Sequence, residues 1–247
     1  MTKIYAHRGS KGNFPENSML AFKKAIEAGV CGMEFDIHMT SDGEVVVIHD
    51  PTLDRTTTGL GYIKDYTLAQ IRNFSIGEKY AEFKYYDPSW DKEVVPTLTE
   101  VLELCIMYDL EVNIELKTYI VAYPSIEEAV LKIVHDVGYD PEKIIYSAFH
   151  LPTLLRLKEL DETIKTAWLL ENFIPMPIDY INTLNLEALH MDKKIVLGKP
   201  DYWQQVAKHL RVWTVNEEEE IKKLIDMGVL AIITDYPEIA VKLKKMD

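Results

Sequence analysis

Short apolar runs alternate with amphipathic segments along almost the whole chain. In the segment 19–28, for example, Leu20, Ala21 and Ala25 recur at the spacing of one helix face. Gly29 follows this segment directly and is a typical helix terminator. The apolar runs between such segments have the length of buried strands. The pattern therefore predicts an α/β fold in which strands and helices alternate.

Eight strand–helix units are expected, and eight is the number that closes a (β/α)₈ barrel, the TIM barrel. The predicted strands cover residues 3–6, 32–37, 111–114, 144–147, 164–169, 188–191, 212–215 and 231–234. The predicted helices cover residues 19–28, 97–108, 125–137, 152–160, 177–183, 200–209, 217–227 and 236–245. We expect a single domain that spans residues 1–247.

One stretch, residues 50–95, interrupts the alternation and predicts an inserted segment after the second strand. It is rich in glycine and in aromatic residues, from Tyr62 to Trp90. A structureless loop of this length is unusual in a compact domain. Two interpretations remain open. The segment is either a cap whose aromatic side chains line a substrate entrance, or a hydrophobic plug that seals one end of the barrel.

The composition indicates which binding partners and which cellular compartment are expected. A formal net charge of −13 disfavours binding to nucleic acid or to anionic lipid head groups. Two isolated cysteines, Cys31 and Cys105, indicate a reduced compartment and neither a disulfide scaffold nor a thiolate metal site. The chain starts without a leader-like segment, and it has no apolar run of the roughly 20 residues that cross a bilayer. We expect a cytoplasmic protein without stable membrane insertion; the sequence does not indicate its oligomeric state.

Polar clusters follow the first apolar runs at the point where each run ends. His7 and Arg8 end the first run, Glu34 and Asp36 lie in the second, and His49 follows the run from Val45 to Ile48. Glu115 and Lys117 end the next run in the same way. The downstream ends of parallel strands converge on a common rim, so these clusters are expected to form one site.

Three carboxylates in these clusters predict a metal site. Glu34 and Asp36 are two positions apart, and alternate residues of a strand point to the same face. Buried acidic groups repel each other unless a cation or a proton lies between them. Oxygen ligands suit Mg²⁺ or Ca²⁺, and Glu115 completes the set. The alternative is that Glu34 or Asp36 only accepts hydrogen bonds from loop amides or pairs with Arg8.

The two histidines, His7 and His49, have the side-chain type of a proton donor and acceptor near neutral pH. His49 could instead attack phosphorus as a nucleophile. His38 lies two positions after Asp36 and is a less favoured additional metal ligand.

Two cations and one tryptophan complete the candidate site. Arg8 and Lys117 offer the two usual ways to hold phosphoryl oxygens, a guanidinium fork and a point charge. Their alternative is to form ion pairs with the three carboxylates. Trp213 lies on the seventh predicted strand. It is either a core residue or a wall of the substrate pocket.

The order of these motifs resembles the glycerophosphodiester phosphodiesterase family over essentially the whole chain. The matching motifs are His7-Arg8-Gly9, Pro15-Glu16-Asn17-Ser18, Glu34-Phe35-Asp36, Thr40-Ser41-Asp42-Gly43, His49-Asp50, Asp54-Arg55-Thr56-Thr57, Glu115-Leu116-Lys117, Trp213-Thr214-Val215-Asn216 and Thr234-Asp235-Tyr236-Pro237. The resemblance implies a TIM barrel with an insertion after the second strand. It also implies metal-dependent hydrolysis of glycerophosphodiesters to an alcohol and sn-glycerol 3-phosphate.

Carried over by position, the resemblance implies a role for each candidate residue. His7 and His49 form the acid–base pair, and Trp213 lines the pocket. Glu34, Asp36 and Glu115 hold one divalent cation, Mg²⁺ or Ca²⁺, while Arg8 and Lys117 contact phosphate. Two positions depart from the family pattern. Ser18 replaces a commoner threonine, and Ala148 stands where a serine often contacts the substrate.

Two other functions fit parts of the pattern. The first is a phospholipase D-like activity on lysophospholipids, which needs an apolar surface beside the site. The second is a metal- or phosphate-binding module without catalysis, and the presence of all five central residues argues against it. The nucleophile also remains open between water and a neighbouring hydroxyl of the substrate, which would give a cyclic phosphate.

Overall fold

The computed structural model describes residues 1–245 and contains nine strands and ten α-helices in that part of the chain. The strands are β1 (Lys3–His7), β2 (Gly32–Met39), β3 (Val45–Val47), β4 (Glu111–Leu116), β5 (Ile144–Ala148), β6 (Thr166–Leu170), β7 (Ala188–Asp192), β8 (Leu210–Trp213) and β9 (Ala231–Thr234). The helices are α1 (Met19–Ala28), α2 (Leu68–Ile71), α3 (Leu98–Met107), α4 (Ile126–Asp136), α5 (Leu151–Leu160), α6 (Pro177–Thr183), α7 (Lys193–Gly198), α8 (Pro200–Gln204), α9 (Glu218–Asp226) and α10 (Pro237–Lys244).

Eight of the strands form a closed parallel barrel, because β1 pairs with β9 on one side and with β2 on the other. The remaining order around the barrel is β9, β8, β7, β6, β5, β4 and β2. Helices follow most of the strands and pack outside them. This confirms the predicted (β/α)₈ TIM barrel.

The ninth strand, β3, departs from the expectation that each polar cluster follows a parallel strand. It pairs antiparallel with the end of β2, with Ile37 opposite Val47. Only five residues separate the two strands, and Gly43 takes a positive φ of 83° in the turn. A parallel crossover needs a dozen or more residues, so this short connection permits only a hairpin. The chain therefore turns back along β2, and His49, which follows β3, lies at the barrel mouth although β3 is not a barrel strand.

The region 193–209 differs from the prediction in two ways. The single helix expected over residues 200–209 is split into α8 and a 3₁₀ turn, Ala207–His209. Helix α7 was not predicted, because Ile195, Val196 and Leu197 form one continuous apolar run without helical spacing. Asp192 caps this helix by accepting a hydrogen bond from the Lys194 backbone N–H at 2.7 Å.

The segment between β3 and α3 folds around its own apolar cluster. It contains α2 and three 3₁₀ turns, Ile63–Asp65, Gly77–Tyr80 and Pro88–Lys92. Side chains such as Leu53, Trp90 and Val95 are buried together there with Val46 and Ile48. Most aromatic residues of this segment pack within or against this cluster, whereas Tyr62 and Tyr85 are exposed.

Candidate active site

A cluster of three buried carboxylates lies at the carboxyl end of neighbouring barrel strands. Glu34 and Asp36 belong to β2, and Asp36 is the register partner of Glu115 on β4. One oxygen of each lies within 4.8 Å of the others, and all three side chains are buried. The alternation of the pleat explains why Glu34 and Asp36 point into the same space. The structure therefore brings together the three predicted metal ligands.

Two cations contact this acidic cluster. Lys117 Nζ lies 3.1 Å from Asp36 Oδ1 and 2.5 Å from Glu115 Oε1. Arg8 Nε lies 3.1 Å from Asp36 Oδ2. Arg8 and Lys117 thus form the ion pairs that were expected as the alternative to phosphate binding. These ion pairs also hold both side chains at the site. In addition, Glu34 Oε2 accepts a hydrogen bond from the Arg8 backbone N–H at 3.1 Å.

The two cations do not balance the cluster evenly. Burial raises the pKa of Glu34 well above its usual value, and repulsion from Asp36 and Glu115 adds to the effect. Burial also opposes ionisation of Asp36, but Lys117 and Arg8 outweigh it and hold that pKa well below its usual value. Glu34 is thus the carboxylate whose charge the two cations compensate least. An all-oxygen site with surplus negative charge fits a hard divalent cation such as Mg²⁺ or Ca²⁺.

His7 is held by the closure of the barrel. It ends β1, and its Nδ1 lies 2.6 Å from Oδ1 of Asp235, which follows the neighbouring strand β9. Asn216 donates a hydrogen bond to the other oxygen of Asp235 at 2.9 Å. The Nε2 atom of His7 lies 3.9 Å from Glu34 Oε2. Burial and the neighbouring Arg8 lower the pKa of His7 to about 4.

His49 is held by local contacts. Its Nδ1 lies 2.7 Å from Oδ1 of the adjacent residue, Asp50. Its carbonyl oxygen lies 2.9 Å from His38 Nε2, and Tyr123 Oη lies 2.8 Å from His38 Nδ1. A carbonyl only accepts, so Nε2 of His38 carries the proton and Nδ1 accepts from the tyrosine hydroxyl. Both nitrogens of His38 are engaged, and the less favoured expectation that His38 is a metal ligand is wrong.

The loop after β1 positions Arg8 by its backbone conformation. Arg8 and Gly9 both have positive φ values, 54° and 82°. A Cβ atom on Gly9 would lie 2.7 Å from Ala21, so only glycine fits between the loop and α1. Arg8 Nη1 then donates to Glu16 Oε1 at 2.9 Å, and Asn17 Nδ2 donates to Asp36 Oδ2 at 2.9 Å.

Two cavities meet at the acidic cluster. The smaller has a volume of about 260 Å³, and both histidines, both cations and Trp213 contribute to its wall. The larger has a volume of about 550 Å³, and aromatic or aliphatic side chains such as Tyr119, Ile120 and Trp168 line much of it. His49, Glu115, Lys117, Phe149, Leu169 and Glu171 belong to both cavities.

Trp213 lies both at the edge of the core and in the wall of the smaller cavity. Its ring packs against buried Tyr5, Ala231 and Ile233 inside the barrel, and it also lines the smaller cavity. It lies 5.7 Å, centroid to centroid, from Phe149 in an edge-on arrangement.

Ala148, which departs from the family pattern, contributes to the wall of neither cavity. Ala148 is buried in the apolar layer between the barrel and the helices, and only its neighbour Phe149 lines the cavities. From residues 50–95, Asp50 and Pro51 line the larger cavity, and no aromatic residue of that segment belongs to the wall of either cavity.

Several residues of this hydrogen-bond network had no predicted role in the site, although their motifs were noted: Glu16, Asn17, Asp50, Arg55, Asn216 and Asp235. Adjacency to His49 was a signal for Asp50. His7 and Asp235, in contrast, are 228 positions apart, and only barrel closure brings them together.

Comparison with known proteins assigns the chain to a family. The sequence profile of the glycerophosphoryl diester phosphodiesterase family matches residues 7–239. The chain belongs to this family. A glycerophosphodiester phosphodiesterase of Caldanaerobacter subterraneus is 38% identical over 245 residues, which cover 98% of this chain and 97% of the relative. Another from Bacillus altitudinis is 37% identical over 252 residues and covers 99% of each chain. This chain is accordingly an enzyme of the glycerophosphodiester phosphodiesterase type.

Solved structures agree with this assignment. A phosphodiesterase of Oleispira antarctica, in complex with the product sn-glycerol 3-phosphate, has a TM-score of 0.83 at 25% identity. The match covers 99% of this chain and 97% of that one. A putative glycerophosphoryl diester phosphodiesterase from Agrobacterium tumefaciens has a TM-score of 0.84 at 25% identity and covers 100% and 98% of the two chains. Among residues 1–245, no helix has both the length and the apolar character that crossing a bilayer requires.

Proposed function

We propose that the chain hydrolyses glycerophosphodiesters to an alcohol and sn-glycerol 3-phosphate, with one divalent cation held by Glu34, Asp36 and Glu115. One observation carries the proposal. His7 and His49 each have Nδ1 bound to a carboxylate, and both line the small cavity that contains Glu34 and Glu115. The product named with the Oleispira structure supports the choice of product.

The acidic cluster would hold the cation through carboxylate oxygens, as its surplus negative charge favours. When bound, Mg²⁺ or Ca²⁺ supplies positive charge that polarises the phosphoryl group. Arg8 and Lys117 line the same cavity, and their ion pairs with Asp36 hold them in place to contact phosphoryl oxygens.

His7 is the proposed acceptor of the nucleophile's proton. Its lowered pKa keeps the ring uncharged at neutral pH, and any additional cation nearby favours the uncharged form further. The hydrogen bond to Asp235 places the proton on Nδ1 and leaves Nε2 free to accept. The nucleophile is either water or a neighbouring hydroxyl of the substrate.

His49 is the proposed donor to the departing alcohol. It lines both cavities, whereas His7 lines only the smaller one, so His49 lies where a glycerol phosphate group and an alcohol group would meet. Asp50 beside Nδ1 stabilises a ring that carries protons on both nitrogens. The proton on Nε2 then passes to the alkoxide oxygen as its bond to phosphorus breaks. Direct attack by His49 is the competing role.

The test is release of glycerol 3-phosphate from a panel of glycerophosphodiesters, before and after treatment with EDTA. Activity should disappear on chelation and return when Mg²⁺ or Ca²⁺ is added, which also identifies the effective ion. Unchanged turnover after chelation refutes the metal assignment. Tight Ca²⁺ binding without turnover of any diester would instead favour a module that binds metal without catalysis.

A second candidate substrate class is the lysophospholipids, because the apolar wall of the larger cavity could contact an acyl chain. Tyr119 and Ile120 are largely exposed on this wall, next to Phe149 and Trp168. Turnover of glycerophosphocholine should exceed that of lysophosphatidylcholine if the wall serves only small alcohols. The opposite order would assign the enzyme to the phospholipase D-like class.

A further inference from the structure

Arg55 holds two carboxylates of the site at once. Its Nε donates to Asp50 Oδ2 at 2.7 Å, and its Nη2 lies 3.0 Å from Asp50 Oδ1. On the other side, Nη1 and Nη2 donate to the two oxygens of Glu16 at 2.8 and 2.9 Å. Two bidentate contacts from one planar guanidinium fix the orientation of both carboxylates.

Each of these carboxylates contacts a residue that has a role in the proposed reaction. Asp50 Oδ1 contacts Nδ1 of His49 at 2.7 Å. Glu16 Oε1 accepts from Arg8 Nη1 at 2.9 Å, and Arg8 Nε lies 3.1 Å from Asp36. Arg55 itself belongs to the wall of neither cavity. It therefore connects His49 to the acidic cluster without facing the substrate.

His49 needs such a contact more than His7 does. Its side chain is 29% exposed, and it follows a strand outside the closed barrel. The Asp50 side chain is 25% exposed and would be free to rotate away from the ring without a partner. Arg55 supplies that partner from the segment between β3 and α3, which gives this segment a role beyond packing.

We propose that Arg55 is a positioning residue of the phosphodiesterase reaction: it orients Asp50, so that His49 presents Nε2 to the substrate. The same guanidinium orients Glu16 behind Arg8. This inference rests on the proposed function of His49.

The first test is the kinetics of Arg55→Met. The turnover number should fall about 10- to 100-fold, because a carboxylate that orients His49 loses its charged partner. KM should change less than the turnover number, since Arg55 does not line the cavities and reaches Arg8 only through Glu16. Arg55→Lys should be intermediate, because an ammonium cannot make both bidentate contacts.

Arg72→Met is the matched control. Arg72 lies in the same segment and pairs with Glu100, at 2.5 Å, on the side of α3. The substitution removes the same charge and one ion pair without touching the network of His49. It should leave turnover at the wild-type level, and an equal loss in both variants would overturn the proposal in favour of general destabilisation.

The second test is a double substitution. If Arg55 acts through His49, then Arg55→Met should add little further loss of turnover to a His49→Ala enzyme. A full additional loss of 10-fold or more in that background contradicts this route.

The third test does not depend on turnover. In ¹H–¹⁵N NMR spectra of histidine-labelled protein, Arg55→Met should weaken or shift the Nδ1–H signal of His49 and leave that of His7 unchanged. An unchanged His49 signal overturns the proposal. If the wild-type protein releases no glycerol 3-phosphate, the proposed function fails, while this spectrum still decides whether Arg55 orients His49.

Discussion

His7 and His49 face the same cavity, but different parts of the fold hold them there. His7 ends a barrel strand, and its partner Asp235 follows the neighbouring strand. His49 follows an antiparallel strand outside the barrel, and its partner Asp50 is the next residue. The side chain of His7 is 11% exposed and that of His49 is 29% exposed.

The difference shows two solutions to one problem, the orientation of an imidazole. Barrel closure orients His7, so its position depends on the stability of the whole sheet. Local contacts orient His49, namely Asp50 at Nδ1 and His38 at the carbonyl oxygen. We expect His7 to be sensitive to burial and His49 to be sensitive to loss of individual hydrogen bonds.

The largest effect should come from removing either imidazole. His7→Ala and His49→Ala should each lower the turnover number by about 10²- to 10⁴-fold, the usual contribution of acid–base catalysis. Glycerol 3-phosphate release measures the loss, and circular dichroism confirms that each variant is folded. Near-normal turnover in one folded variant would remove that histidine from the mechanism.

The next effect should be a pH dependence of stability that comes from the burial of His7. The pKa of His7 is about 4 in the folded protein and 6.5 in its usual state, because burial disfavours the charged ring. Between these values the unfolded chain binds the proton and the folded protein does not. The stability that neutral His7 contributes is therefore complete above pH 6.5 and is lost as the pH falls towards 4, by up to about 3 kcal/mol.

Urea unfolding of metal-free protein measures this loss. Wild-type protein should lose stability more steeply than His7→Asn between pH 6.5 and 4.5, since asparagine does not titrate. Equal slopes in the two proteins would show that His7 is not held in its neutral form by burial.

The carboxylate partners should have a smaller effect. Asp235→Asn and Asp50→Asn each replace a charged hydrogen bond to Nδ1, and each should lower turnover by about 10- to 100-fold. Asp235→Asn should also lower the melting temperature more, because Asp235 connects the ends of β1 and β8 through Asn216. A larger thermal shift for Asp50→Asn would contradict the view that only His7 depends on barrel closure.

The smallest effect should follow Tyr123→Phe. The hydroxyl of Tyr123 satisfies Nδ1 of His38 and so favours the tautomer that donates to the His49 carbonyl. Without it, turnover should fall only about threefold, as expected for loss of one neutral hydrogen bond. Tyr119→Phe, in the cavity wall, is a matched control in which that histidine contact stays intact.

Sequence reasoning predicted the barrel and most of its elements, since each depends on local periodicity. Helices α1 and α6 were placed with their observed bounds, as was strand β9. The strand before His49 was expected to be parallel to its neighbours, but it pairs antiparallel with β2. The five-residue connection between these two strands permits only a hairpin. Helix α7 was missed because a short, continuous apolar run has no helical spacing.

By itself, the sequence determined which chemical groups the site contains and that they follow strand ends. Glu34 and Asp36 face the same side because the pleat of one strand requires it, and Asp50 is near His49 because it is the next residue. Only the tertiary structure decided that Asp235 supports His7 and that Arg55 connects Asp50 with Glu16. The physical reason is that strand pairing and loop packing bring together residues far apart in the chain, and local periodicity carries no information about those distances.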